Sequence, residues 1–65
     1  MRDKARIHQF CHELANIWLE ECPDWRFGQL ISNVLGKMQS EGRDCFFPEE
    51  TEMLDYFKKY FNKED

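Results

Sequence analysis

No stretch of this chain approaches the ~20 consecutive apolar residues that span a bilayer, so no membrane segment is expected. Cysteine is scarce and odd in number. The odd count of Cys11, Cys22 and Cys45, with no signal peptide expected, argues against a disulfide framework. Free thiols belong to reducing compartments, where cysteine commonly acts as a small buried hydrophobe, so a cytoplasmic protein is expected. Basic charge is also short: nine Lys and Arg stand against thirteen Asp and Glu, for a net charge of −4. An acidic chain is repelled by phosphate backbones, which argues against general nucleic-acid binding. Repeats, low-complexity tracts and linkers are missing too, and residues 1–65 read as a single domain.

A domain this small buries only about 60% of the surface its unfolded chain exposes. Below roughly 70–80 residues, chains usually need a staple or a partner. Two compensations are open. Six Phe, two Trp and two Tyr give a large buried area per residue, and dimerisation would add more.

The apolar residues recur at helical spacing in three segments. The first helix is expected at about 3–21, with Ile7, Phe10, Cys11, Leu14, Ile17, Trp18 and Cys22 on its buried stripe. Pro23 ends it, because a proline disfavours helical geometry in the residue before it and lacks an N–H. Asp24 then suits the N-cap of a second helix at about 25–40. Its stripe is Phe27, Leu30, Ile31, Val34, Leu35 and Met38. Gly28 and Gly36 interrupt it, at about 1 kcal/mol each relative to Ala. That cost suggests close backbone packing, or an early fray at Gly36. The polar segment 40–44 is the second connection. Cys45, Phe46 and Phe47 read as a short extended piece. Pro48 fits the first position of a third helix at about 48–61. Glu49, Glu50 and Glu52 complement the dipole of that helix. Met53, Leu54, Phe57, Tyr60 and Phe61 face inward, with Tyr56 at the edge and an Asp55–Lys59 pair at i, i+4. The fold class is all-α, a small three-helix bundle or an orthogonal variant, since short connections favour antiparallel neighbours.

Chemistry has few places to reside. His8 and His12 lie one turn apart and are candidates to share a metal. With no CxxC pair and no HExxH motif, half-buried histidines at the edge of a core are the simpler reading, and no metal or cofactor is assigned. Cys11 lies on the buried stripe. Cys22 lies at a helix C-terminus, the wrong end to activate a thiol. A chain this short also lacks walls for a pocket of ~300 Å3 or more, so no enzyme is expected. Arg26, Gln29, Asn33 and Lys37 form a polar row on the second helix, and Arg2, Lys4 and Arg6 an N-terminal basic cluster. A recognition helix could carry such a row, and so could a solvated face. Trp25 points away from its helix's stripe. Adjacent aromatics in an extended segment face opposite ways, so one of Phe46 and Phe47 can enter the core while the other needs a cover. Exposed aromatics gathered in a patch mark protein–protein sites.

Pro23-Asp24-Trp25-Arg26-Phe27-Gly28-Gln29-Leu30 resembles a P-D-x-R-x-G-Q-L motif of short uncharacterised proteins from Firmicutes, their phages and mobile elements. The start Arg2-Asp3-Lys4-Ala5-Arg6-Ile7, the preceding Trp18 and the later Asp44-Cys45-Phe46-Phe47-Pro48-Glu49-Glu50 are similar to further segments of that family. Pro48 departs from the aliphatic residue expected there. The resemblance implies an intracellular bacterial or phage protein and no activity. Its shared residues read as a structural unit: Asp24 caps, Gly28 permits close approach, and Arg26 offers a cationic fork to Glu49 or Glu50.

The expectation is a non-enzymatic interaction module. Its surface combines Trp25, Arg26, Phe46, Phe47, Glu49 and Glu50, and its partner is another protein or a second copy as a homodimer. The alternatives are a small DNA-binding regulator using the second helix, and an acidic inhibitor of a host nucleic-acid enzyme.

Overall fold

The computed structural model describes residues 3–62, and they form α1 (Ala5–Glu21), α2 (Phe27–Ser40) and α3 (Glu50–Phe61), with no strand among the described residues. This is the all-α, three-helix architecture that the periodicity predicts. Arg2 of the expected basic cluster and the tail Lys63–Asp65 lie outside the described residues.

The helix ends depart from expectation for local reasons. Asp3 precedes α1 rather than joining it: the N-cap position is Lys4, and Asp3 Oδ1 accepts from the Ala5 N–H at 3.0 Å. The C-terminus falls where Pro23 demands, with Cys22 still donating to the Trp18 carbonyl at 3.1 Å. α2 begins two residues later than predicted, and Asp24 is not its cap. The cap position is Arg26. A guanidinium has no acceptor to offer the first-turn amides, so Gln29 closes the turn from the other side. Its Oε1 accepts from the Arg26 N–H at 2.8 Å, which is half of a capping box.

α2 does not fray at Gly36 but runs on to Ser40. Gly42 stops it, at φ 78°. Gly42 N–H donates to Gln39 O at 2.9 Å and Arg43 N–H to Met38 O at 3.0 Å, the bond pair of a Schellman turn. Residues 45–47 are a bend rather than an extended piece. The Phe47 N–H donates to Asp44 Oδ2 at 2.8 Å, a local turn of the kind Asp favours. Pro48 precedes the α3 cap, Glu49, instead of opening the helix. Glu52 Oε1 accepts from the Glu49 N–H at 3.1 Å.

The core holds Leu30, Val34 and Met38 of α2, Ile17 of α1, Tyr56 and Phe57 of α3, and Cys22. Tyr56, expected at an edge, is buried. Cys11, expected in the stripe, is exposed. α1 and α3 form the closest helix pair and run in the same direction. Arg6 near the start of one meets Glu50 at the start of the other, and Ile17 and Glu21 share a groove with Phe61. α2 connects them and is pinned at both ends. Trp18 of α1 lies 5.9 Å from Phe27, and Tyr56 of α3 donates to Glu41 Oε1 at 2.8 Å. The close approach expected at Gly28 and Gly36 does not occur: an added Cβ at either would meet nothing within 4 Å.

Candidate functional site

The connection from α2 to α3 carries the most exposed large apolar side chains. Phe46 is 83% and Phe47 80% exposed. Neither enters the core, contrary to the expectation that one would. The rings pack edge to face, with centroids 4.8 Å apart, a favoured aromatic geometry. Their support is short-range. Gly42 turns the chain out of α2, Asp44 holds the Phe47 amide, and Glu52 holds the Glu49 amide. The pair therefore stands on a braced turn between two helices.

Acidic groups border it. Glu49 caps α3, and Glu50 Oε1 meets Arg6 Nη1 at 3.4 Å. The cation opposite this cluster is thus Arg6 of α1, not Arg26. Among the described residues the Arg26 guanidinium has no ion-pair partner; its backbone is engaged, the N–H by Gln29 and the carbonyl by the Leu30 N–H. Trp25 and Arg26 sit at the other end of the bundle. Trp25 is half-buried, 5.9 Å from the Phe61 ring, and its carbonyl accepts from the Trp18 indole N–H at 3.0 Å. The twelve residues of α3 put about 17 Å of helix between that end and Glu50, at 1.5 Å per residue. The six residues expected to form one surface divide into two, with Phe46, Phe47, Glu49 and Glu50 together and Trp25 and Arg26 apart.

A second polar cluster locks α2 to α3, and its long-range member, Tyr56 with Glu41, has no local signature in the sequence. Glu41 accepts from Tyr56 and from Lys37, whose Nζ lies 3.3 Å from Oε2, and Arg43 stacks 4.8 Å over the Tyr56 ring. The Tyr56 bond chiefly, then the Lys37 bond, hold the Glu41 carboxyl below its ordinary range. Burial first, then the bond to Glu41, push the Tyr56 phenol above its own. Both bonded partners keep the protonation state that the bond requires. The expected Asp55–Lys59 pair is not formed; the i, i+4 ion pair among the described residues is Lys37–Glu41.

The other candidates are placed as follows. His8 and His12 are exposed rather than half-buried, and no group of three or more His, Cys, Asp or Glu among the described residues could hold a metal. Burial, with Glu21 nearby, raises the Cys22 thiol, which disfavours the nucleophilic thiolate. Arg26, Gln29, Asn33 and Lys37 are all exposed. The surface does contain concavities above ~300 Å3, against the size argument: open grooves of about 660, 520 and 760 Å3. The groove of about 520 Å3 between Arg6, Phe10, Glu50 and Leu54 flanks the acidic start of α3. No described helix is long and apolar enough to cross a membrane. No family model, curated protein or solved structure matches this chain.

Proposed function

We propose that the chain is a non-enzymatic interaction module that engages another protein through the Phe46–Phe47 tip and the acidic start of α3. The observation that supports this reading is the exposure of both rings on a turn whose own hydrogen bonds hold them there. Leaving two phenylalanines in water forgoes about 1.5–3 kcal/mol each, in a domain that has little stability to spare. Aromatic anchors with a polar rim are the usual composition of a binding hot spot. Here Glu49 and Glu50 supply that rim, which favours a partner with an apolar cleft and basic edges. A partner inside a bacterial cell is part of this proposal, and the resemblance to short phage and mobile-element proteins is what supports it.

The test is a native pull-down with mass spectrometry, run in parallel on the wild-type chain and a Phe46→Ala/Phe47→Ala double variant. A species captured by the first and absent from the second is the expected result. Identical captures from both would end this reading. The exposed row Arg26, Gln29, Asn33 and Lys37 supports a second reading, a DNA-binding helix, although Lys37 is engaged by Glu41. Salt-dependent retention on duplex DNA, lost in Arg26→Ala, would favour that alternative.

A further inference from the structure

Trp25 has no part in the tip at Phe46–Phe47. At its own end of the bundle it lines an open groove of about 660 Å3 together with Tyr60 and Phe61 of α3. All three residues are half-buried. Phe61 touches both of the others. Its ring centroid is 5.9 Å from that of Trp25, at an interplanar angle of 52°, and 4.9 Å from that of Tyr60, at 83°. Rings set at such angles wall a concavity rather than stack flat, and the face of each is its electron-rich side.

The charges around the rings select a cation. Two carboxylates line the same groove, Glu21 from the last turn of α1 and Asp24 from the turn that follows. Glu21 sits at the negative end of the α1 dipole, where a carboxylate is unfavourable and a Lys, Arg or His is the usual complement. α1 has no basic residue in its last turn. α3 ends beside it and offsets its own dipole with Lys58 and Lys59. The ion pairs among the described residues are Arg6–Glu50 and Lys37–Glu41, so neither Glu21 nor Asp24 is neutralised there. Lys37 is the cation in the groove lining, and its ammonium is held 3.3 Å from Glu41. Cys22 lines the groove as well. Burial first, then Glu21, raise its thiol, so negative charge is disfavoured at this place.

The kind of cation follows from the shape. A bare metal ion lacks ligands, since no three His, Cys, Asp or Glu side chains among the described residues gather to hold one. A free small molecule needs a pocket that buries most of its surface, and this groove is open. A side chain delivered on the backbone of another protein needs only aromatic walls and a counter-charge. Guanidinium suits both, because its plane stacks on aromatic faces and its fork matches a carboxylate.

We infer that the groove where α1 and α3 end is a docking site for an arginine side chain of a partner protein, set among Trp25, Tyr60 and Phe61 with Glu21 and Asp24 as counter-ions. The unfavourable placement of Glu21 in the free chain is relieved when the cation arrives. The site shares no residue with the Phe46–Phe47 tip, and each reading can fail without the other.

The experiment is an NMR titration of the full chain at low salt with an acetyl-Gly-Arg-Gly amide peptide, and with the same peptide carrying citrulline, the neutral isostere. The arginine peptide should shift the Trp25 indole N–H along a saturable curve, with Kd on the order of millimolar. The citrulline peptide should bind about tenfold more weakly or not at all. Glu21→Gln/Asp24→Asn should weaken the arginine peptide by a similar factor without lowering Tm, because Glu21 leaves the negative helix end. Phe46→Ala/Phe47→Ala should bind the peptide as the wild type does. The citrulline comparison, made on the native chain, decides the matter if the carboxylate variant loses helicity. Equal affinity for the two peptides, full affinity in a folded carboxylate variant, or no saturable shift of the Trp25 indole would each overturn the inference.

Discussion

Three glycines look alike in the sequence and differ in their surroundings. Gly42 occupies the left-handed region at φ 78°, where a Cβ is strained. Gly42→Ala should destabilise the domain by about 1 kcal/mol in urea titration. Gly36 sits in ordinary helix with open space where a Cβ would go. Gly36→Ala should stabilise by up to about 1 kcal/mol, a rise of roughly 4–8 °C in Tm for a domain near this size. The sequence exposed the cost of a helical glycine but not its cause. Close packing and its absence have the same one-letter code, and only the neighbours separate them. Arg26 was misread in the same way. Its charge suggested a partner among Glu49 and Glu50, yet Arg6 fills that place from α1. The expected result for Arg26→Ala is therefore an unchanged Tm; a clear drop would return Arg26 to the fold.

At the scale of elements, the existence and order of the helices follow from spacing alone. Their C-terminal ends fall where the spacing predicts, and their N-terminal ends lie two residues later, because side chains outside the expected positions close the first turns. Gln29 reaches back to Arg26, and Glu52 back to Glu49. Tertiary pairing was less legible still. Nothing local in Glu41 or Tyr56 announces the bond that fastens the end of α2 to the middle of α3. That bond gives the fold two pH limbs. The Glu41 carboxyl is lowered, so its contribution is full above the ordinary glutamate range and is lost as pH falls through the folded value. The Tyr56 phenol is raised, so its contribution is full below the ordinary tyrosine range and is lost as pH rises through the folded value. Thermal melts across pH should show the acid limb flattened in Glu41→Gln and the alkaline limb flattened in Tyr56→Phe. An acid limb of equal slope in wild type and Glu41→Gln would remove Glu41 from the lock.

The whole molecule is a thin-cored bundle with apolar surface left over. Leu30, Val34, Met38 and Phe57 have almost no exposure, and little lies behind them to compensate for a void. Phe57→Ala should cost about 3–5 kcal/mol, enough to leave a domain of this size largely unfolded by circular dichroism at 25 °C. The periodicity identified these residues correctly. It could not tell which apolar residues exceed what three short helices can cover, because coverage depends on how the rods cross. That is why Ile7, Cys11 and Phe27 read as core and stand outside it, and why Phe46 and Phe47 divide into inner and outer only on paper.

The braced turn between α2 and α3 has a further consequence. A chymotrypsin-like protease prefers aromatic residues on accessible chain, and the Phe46–Phe47 linkage presents two. One cut there would release α3 with Tyr56 and Phe57, so the fragments would separate from a core neither can rebuild alone. Digestion should thus begin at this bond, and a ligand seated on the two rings should slow it, turning the rate of nicking into a readout of occupancy.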